Sequence, residues 1–166
     1  MSAPSWRAGM LGIAIASLAA VGAALVAQHR FDMQPCPWCI LQRLIYLALA
    51  LVAILAALLD KSPGARRGFG TLACVLALCG AASAIWQHVV AAKQFSCNLT
   101  FADKVITALQ LESLVPPLFQ VTASCADAAS ATLLGLPFEY WSLLLFVLLG
   151  VGAAALTLRP SVPARI

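Results

Sequence analysis

Two thiols, Cys36 and Cys39, bracket Pro37 and Trp38 where an apolar run begins, and Arg43 follows one helical turn later. A C-x-x-C pair can close a small disulfide ring, supply half of a zinc site or act as a redox couple. At a helix N-terminus, the dipole and the free N–H groups favour thiolate over thiol and raise reactivity. Positions 39 and 43 are i and i+4, so Cys39 and Arg43 share one helix face. An arginine inside a membrane span costs about 2.5–3.5 kcal/mol at mid-bilayer and less near the interface. Arg43 therefore either snorkels to the head groups or stabilises negative charge on a Cys39 thiolate, a reduced carrier or both. Gln42 can add hydrogen bonds here or face a neighbouring helix. Tyr46, three positions beyond Arg43, can line the same pocket.

Cys97 and Cys125 form a second candidate pair in a polar stretch, with 27 residues between them. A permanent disulfide closing such a loop stabilises by a few kcal/mol. Next to a reactive pair, a relay is the alternative: a partner thiolate attacks Cys97, and electrons pass by thiol–disulfide exchange to Cys36 and Cys39. His88, near the end of an apolar run, reads as a hydrogen-bonded interface residue or as a group that binds a carrier or delivers a proton. Cys74 and Cys79 are i and i+5 in the same run and read as buried packing residues. No metal or flavin motif is present.

The elements that must hold these groups follow from composition. Hydrophobic residues make up 63% of the chain and charged residues 10%, against about 45–50% and 25% in soluble domains. That implies an integral membrane protein, with room in 166 residues for four spans, one long loop and a single domain over residues 1–166. The runs 8–27, 40–59, 68–90 and 141–158 are each long enough to cross about 30 Å of hydrocarbon. The first is too long for a signal-peptide core and lacks a clean cleavage site, so it reads as an anchor. The termini and the loop 60–67 carry Arg7, Lys61, Arg66, Arg67, Arg159 and Arg165 against Asp60. The other side carries Arg30, Arg43, Lys93 and Lys104 against Asp32, Asp103, Glu112, Asp127 and Glu139. The basic excess puts both termini in the cytoplasm. The loops 28–39 and 91–140, with Cys36, Cys39, Cys97 and Cys125, then face outward, in a bacterium into the oxidising periplasm. Trp6, Trp38, Trp86 and Trp141 fall near the span ends, where amphipathic rings settle. The basic residues are too scattered for a nucleic-acid surface.

The expected fold is all-α: an integral membrane four-helix bundle with a short periplasmic amphipathic helix in the second outer loop. Phe101, Val105, Ile106 and Leu109 share one face of that helix, which would lie on the membrane surface or pack on the protein, and Pro116-Pro117 would end it. Gly9, Gly12, Ser17, Gly22, Gly150 and Gly152 are expected to let helices approach closely.

The run Pro35-Cys36-Pro37-Trp38-Cys39-Ile40-Leu41-Gln42-Arg43 resembles the signature of the DsbB family, the bacterial inner-membrane disulfide-bond formation proteins. The likeness covers nearly the whole chain: four spans, C-x-x-C in the first outer loop, a cysteine pair in the second, and Leu134-Gly135-Leu136-Pro137 before the last span. The resemblance implies that Cys97 receives the attack of a reduced DsbA-like thioredoxin-fold partner. Cys125 would be its disulfide mate and cross over to Cys36 during turnover. Cys39 would face ubiquinone or menaquinone drawn from the membrane pool, and Arg43 would hold it. His88 matches a family histidine near the quinone only approximately, and Gln42 stands where many members have an acid. A DsbA-type disulfide is a strong oxidant, near about −120 mV, so regenerating it needs a strong electron sink such as a respiratory quinone. Two other readings remain. One is a vitamin K epoxide reductase-like oxidoreductase, in which the order of loop pair and C-x-x-C is reversed. The other is a non-enzymatic four-span protein with structural disulfides or an all-cysteine metal site, which leaves Arg43 unexplained.

Overall fold

The computed structural model describes residues 5–60, 62–93 and 100–159; Lys61, Cys97 and Arg165 lie outside the described residues. Four helices are long and apolar enough to cross a membrane. Helix α1 (Trp6–Phe31) starts on the Ser5 hydroxyl, which accepts from the Ala8 amide, and ends at Asp32 in the left-handed region. Helix α2 (Pro37–Leu58) begins earlier than its apolar run because Cys36 is extended and Pro37 suits a first helical turn. Helix α3 (Pro63–Val89) likewise starts before its apolar run. Ser62 caps it, Pro63 opens it, and Arg66 in its first turns is held by Asp60. Among the described residues, four short α-helices follow beyond the third span: α4 (Phe101–Ala108), α5 (Leu111–Leu114), α6 (Pro116–Phe119) and α7 (Cys125–Ser130). A two-stranded hairpin, β1 (Thr132–Leu133) and β2 (Leu136–Pro137), then leads into α8 (Phe138–Thr157).

Helix α1 packs on α2, α2 on α3, α3 on α8, and α8 returns to α1, which closes the bundle. The core is built from Met10, Leu49, Ala53, Ala73, Ala77, Phe146, Leu149 and Ala153. The Tyr46 and Phe146 rings stack with centroids 4.0 Å apart. The outside is equally apolar, with Ile15, Leu51, Leu78, Leu148 and Val151 exposed, as lipid requires. At the end away from Cys36, Asp60 bonds Arg66 and lies 3.5 Å from Arg7, tying the ends of α1, α2 and α3 together. The Arg66 hydrogen bonds hold the Asp60 carboxyl below the usual carboxylate range. Its contribution to stability is therefore present above its unfolded pKa and is lost as pH falls through the lower folded value.

Several expectations need correction. Close helix contact comes from Gly70 and Gly80 on α3, where an added Cβ would overlap Thr157 and Phe146 of α8, and from Gly9 against Leu156. Gly12, Gly22 and Gly152 face open space. Cys79 is exposed on the bundle surface and Cys74 is only half-buried, so neither is a buried packing residue. Pro116-Pro117 does not end α4, which stops at Ala108; the short α5 ends just before the pair, and Pro116 opens α6, because proline fits the first turn, where its missing N–H is not needed. Helix α4 buries Ala102 and Ile106, with Ile106 in a cluster with Ile40 of α2, and leaves Phe101 and Leu109 exposed. It therefore packs on the protein and still presents apolar side chains outward. The hairpin turns through Leu134 (φ 54°) and Gly135 (φ 79°), the two positive φ values of a type I′ turn. Trp141 Nε1 donates to the Leu133 carbonyl at 3.1 Å and fastens the hairpin to α8.

Gly80→Ala should destabilise the bundle by about 1–3 kcal/mol through overpacking against Phe146, read as a lower thermal midpoint in detergent. Gly12→Ala should not lower it.

Candidate functional site

The C-x-x-C pair occupies the first turn of α2. Cys36 is the extended residue before the helix, and the Ile40 amide donates to its carbonyl at 3.0 Å. The turn brings Cys36 Sγ within 3.0 Å of Cys39 Sγ, and both are free. Cys36 is fully buried and Cys39 half-buried, so only the second sulfur opens toward a cavity. Gln87 Nε2 of α3 donates to Cys39 Sγ at 3.3 Å, and Gln42 Nε2 donates to Gln87 Oε1 at 2.7 Å. This two-amide chain presents a donor to the sulfur, which suits a thiolate better than a thiol.

Arg43 does not snorkel. It is 5% exposed. Nη1 donates to Gln28 Oε1 at 2.8 Å and to the Leu118 carbonyl at 3.0 Å, and Nη2 donates to the Ala24 carbonyl at 3.5 Å. All three acceptors are neutral, and among the described residues no carboxylate lies within 4 Å of it. A buried cation with neutral partners keeps its charge available to an anion.

That charge lines a cavity of about 220 Å³ beside Cys39. Its walls are mostly apolar: alanines of α1, Leu133 of β1, and Phe138, Trp141 and Leu145 of α8. The polar lining includes Gln42, Arg43 and Tyr46 of α2, Gln87 of α3, and Glu139 and Ser142 of α8. Tyr46 Oη donates to the Ser142 carbonyl at 3.0 Å, which fixes its ring in the wall. A dry cavity of about 150 Å³ admits benzene, so this one has room for a substituted six-membered ring.

Cys125 opens α7, is fully buried and is disulfide-bonded. It shares a buried cluster with Cys36, Trp38, Leu41, Ala91, Ala102 and Ala128. The segment before it is pinned to the residue before Cys36: the Thr122 and Ala123 amides both donate to the Pro35 carbonyl, at 3.1 and 3.2 Å. Glu112 Oε1 accepts from the Val121 amide at 2.9 Å. Cys97, the other half of the expected loop pair, lies outside the described residues.

His88 is not in the cavity wall; its neighbour Gln87 is. His88 stands behind Glu139, with Nδ1 3.0 Å from Oε1 and Nε2 3.0 Å from the Tyr140 hydroxyl. The sequence reading missed Gln87 and Glu139 as site residues. The signal for Gln87 was a polar side chain ending an apolar run, and for Glu139 an acid opening one. Among the described residues, no three His, Cys, Asp or Glu side chains converge as a metal site.

The family model described as disulfide bond formation protein DsbB matches residues 6–156. A disulfide bond formation protein B 1 of Pseudomonas syringae pv. syringae is 36% identical over 152 residues, covering 89% of this chain and 86% of the relative. Disulfide bond formation protein B of Methylobacillus flagellatus is 34% identical over 146 residues, with 86% and 87% covered. That of Cupriavidus metallidurans is 31% identical over 155 residues, with 92% and 93% covered. No solved structure matches the chain.

Docking of the Cys125 segment on Pro35 is checked by amide exchange. The Thr122 and Ala123 amides should be protected, and Thr122→Pro should speed exchange at Ala123 by roughly tenfold. Fast exchange at Ala123 in the unmodified protein would show that the segment is not held there.

Proposed function

Because this chain belongs to the DsbB family of disulfide bond formation proteins, we propose that it is a quinone-coupled thiol oxidase of the bacterial inner membrane. It reoxidises a periplasmic DsbA-like dithiol protein and passes the electrons through Cys97–Cys125 and Cys36–Cys39. Both termini lie in the cytoplasm on this reading, and the cysteine end faces the periplasm. The observation that carries it is Arg43: a buried guanidinium with only neutral partners, facing a ring-sized cavity beside a free thiol.

Ubiquinone or menaquinone bound in that cavity would accept two electrons and two protons. The residues present suit it. The apolar walls match a ring, and Arg43 has five N–H donors, enough to reach a carbonyl oxygen beyond its three recorded bonds. Glu139 Oε2 is buried without a partner among the described residues. Cys39, Arg43 and Tyr46 would hold the ring between α1 and α8.

Thiol–disulfide exchange gives the cysteine steps an order. The partner's thiolate attacks Cys97, forms a mixed disulfide and releases Cys125 as a thiolate. Cys125 attacks Cys36 of the oxidised Cys36–Cys39 bond and releases the Cys39 thiolate into the cavity. The partner's second thiolate displaces Cys97, and the partner leaves oxidised. Cys97 then attacks Cys125 and frees Cys36, which returns the loop bond and leaves Cys36 and Cys39 reduced.

With purified protein, reduced partner and a ubiquinone, Cys39→Ser and Cys97→Ser should each abolish partner oxidation. Cys74→Ser and Cys79→Ser should retain nearly all of it. Equal activity in all four variants would end the proposal.

A further inference from the structure

Glu139 has no part in the cysteine chemistry, yet it is one of the most buried polar residues of the chain, at 3% exposure. It opens α8 and lines the same cavity as Cys39 and Arg43. One carboxylate oxygen, Oε1, is paired with His88 Nδ1 at 3.0 Å. The other, Oε2, is buried with no partner among the described residues. Leaving such an oxygen unpaired is costly, more so if it is charged. A group kept at that expense inside a cavity points to a ligand atom or a proton.

The route outward is continuous. The Tyr140 hydroxyl lies 3.0 Å from His88 Nε2, and the two rings are 4.7 Å apart. The bonds are satisfied when Tyr140 O–H donates to Nε2 and Nδ1–H donates to Glu139 Oε1. The His88 side chain is 42% exposed and Tyr140 41%. Two hydrogen bonds therefore connect a sealed carboxylate to the surface at the Cys36 end. An imidazole can take a proton at one nitrogen and give one from the other.

We propose that Glu139 is the proton-transfer residue of the cavity and that His88 and Tyr140 are the positioning residues that reload it from the outer surface. The proposal rests on the quinone reading above. Cys39 enters this step as the thiolate, so oxidation of Cys36 and Cys39 forms one S–S bond and releases two electrons and one proton, that of Cys36. A bound quinone would take up two electrons and two protons. Both protons come from Glu139 in turn. Glu139 recovers each through His88 from the outer surface, and the proton of Cys36 leaves to the same side, so charge and mass balance. The other titratable or charged groups facing the cavity are Cys39, Arg43 and Tyr46 of α2, with His88 of α3 and Tyr140 of α8 behind Glu139. Arg43 does not give up its proton near neutral pH, and Tyr46 is committed to Ser142. Glu139 is thus the carboxyl acid in the wall.

The test compares Glu139→Gln, Glu139→Asp and Tyr140→Phe with the parent protein, using a short-chain ubiquinone. In Glu139→Gln, mixed-disulfide formation with the reduced partner should stay within about twofold, and quinone binding, read from quenching of tryptophan fluorescence, within about threefold. Quinone reduction should fall by about 10²-fold, the range for a lost general acid, and its pH profile should flatten. Infrared difference spectra should show a carboxyl band that changes when quinone binds to the parent and is missing in Glu139→Gln. Glu139→Asp should recover at least about tenfold of the lost rate. Tyr140→Phe, at an exposed position, should slow reduction most at high pH. Parent-like rate and pH profile in Glu139→Gln would overturn the assignment. If that variant does not fold, a parent-like rate and profile in Tyr140→Phe would overturn it. A parent protein that reduces no quinone at all would instead remove the oxidase reading on which the assignment stands.

Discussion

A guanidinium buried in an apolar bundle is the constraint around which the cysteine end of this protein is organised. Arg43 cannot shed its proton, and taking it out of water is costly unless its N–H groups are satisfied. The chain meets that demand with the Ala24 carbonyl and Gln28 of α1 and the Leu118 carbonyl of α6. One side chain on α2 thus ties a neighbouring span and an outer-loop helix to the same point. Because those acceptors are neutral, the positive charge is solvated but not cancelled. What remains is a site that favours negative charge where Cys39 opens to the cavity, with low dielectric to strengthen the effect.

The thiols are arranged around this charge with different degrees of access. Cys36 and Cys125 are both fully buried and share one cluster, so both sulfurs are shielded from solvent thiols. Cys39 alone of the C-x-x-C pair reaches the cavity. The Pro35 carbonyl, receiving the Thr122 and Ala123 amides, keeps the two loops aligned. Proline at 35 and 37 leaves that carbonyl free for the second loop, because an extended segment before a helix uses no ladder bonds. The long loop earns its order by docking on α2 rather than by a core of its own.

The spans and the motif were legible in the sequence because each depends on local information. A run of apolar residues must cross the membrane as helix, and Cys39 and Arg43 at i and i+4 share a face whatever the tertiary fold. What was not legible depends on packing across helices. Gly70 and Gly80 look no different in sequence from Gly12 and Gly22, yet only the first two face a neighbour closely. Cys79 falls on the outward face of α3 because the rotation of a uniformly apolar helix is not marked by polarity. Pro116-Pro117 marks a helix boundary without saying that one short helix ends and another begins there. Gln87 and Glu139 are single polar residues at span ends, where polar residues are ordinary, and only the meeting of α3, α8 and α2 gives them a site.

The central claim is that the uncompensated charge of Arg43 draws an electron-accepting ring to Cys39. Equilibrium binding of a short-chain ubiquinone to Arg43→Met tests it most directly, with retained secondary structure as the control and with no turnover required. Removing a charge-assisted hydrogen bond of about 1.5–3 kcal/mol should weaken binding by roughly 10- to 100-fold. Binding as tight as in the parent protein, from a variant that is still folded, would contradict the account.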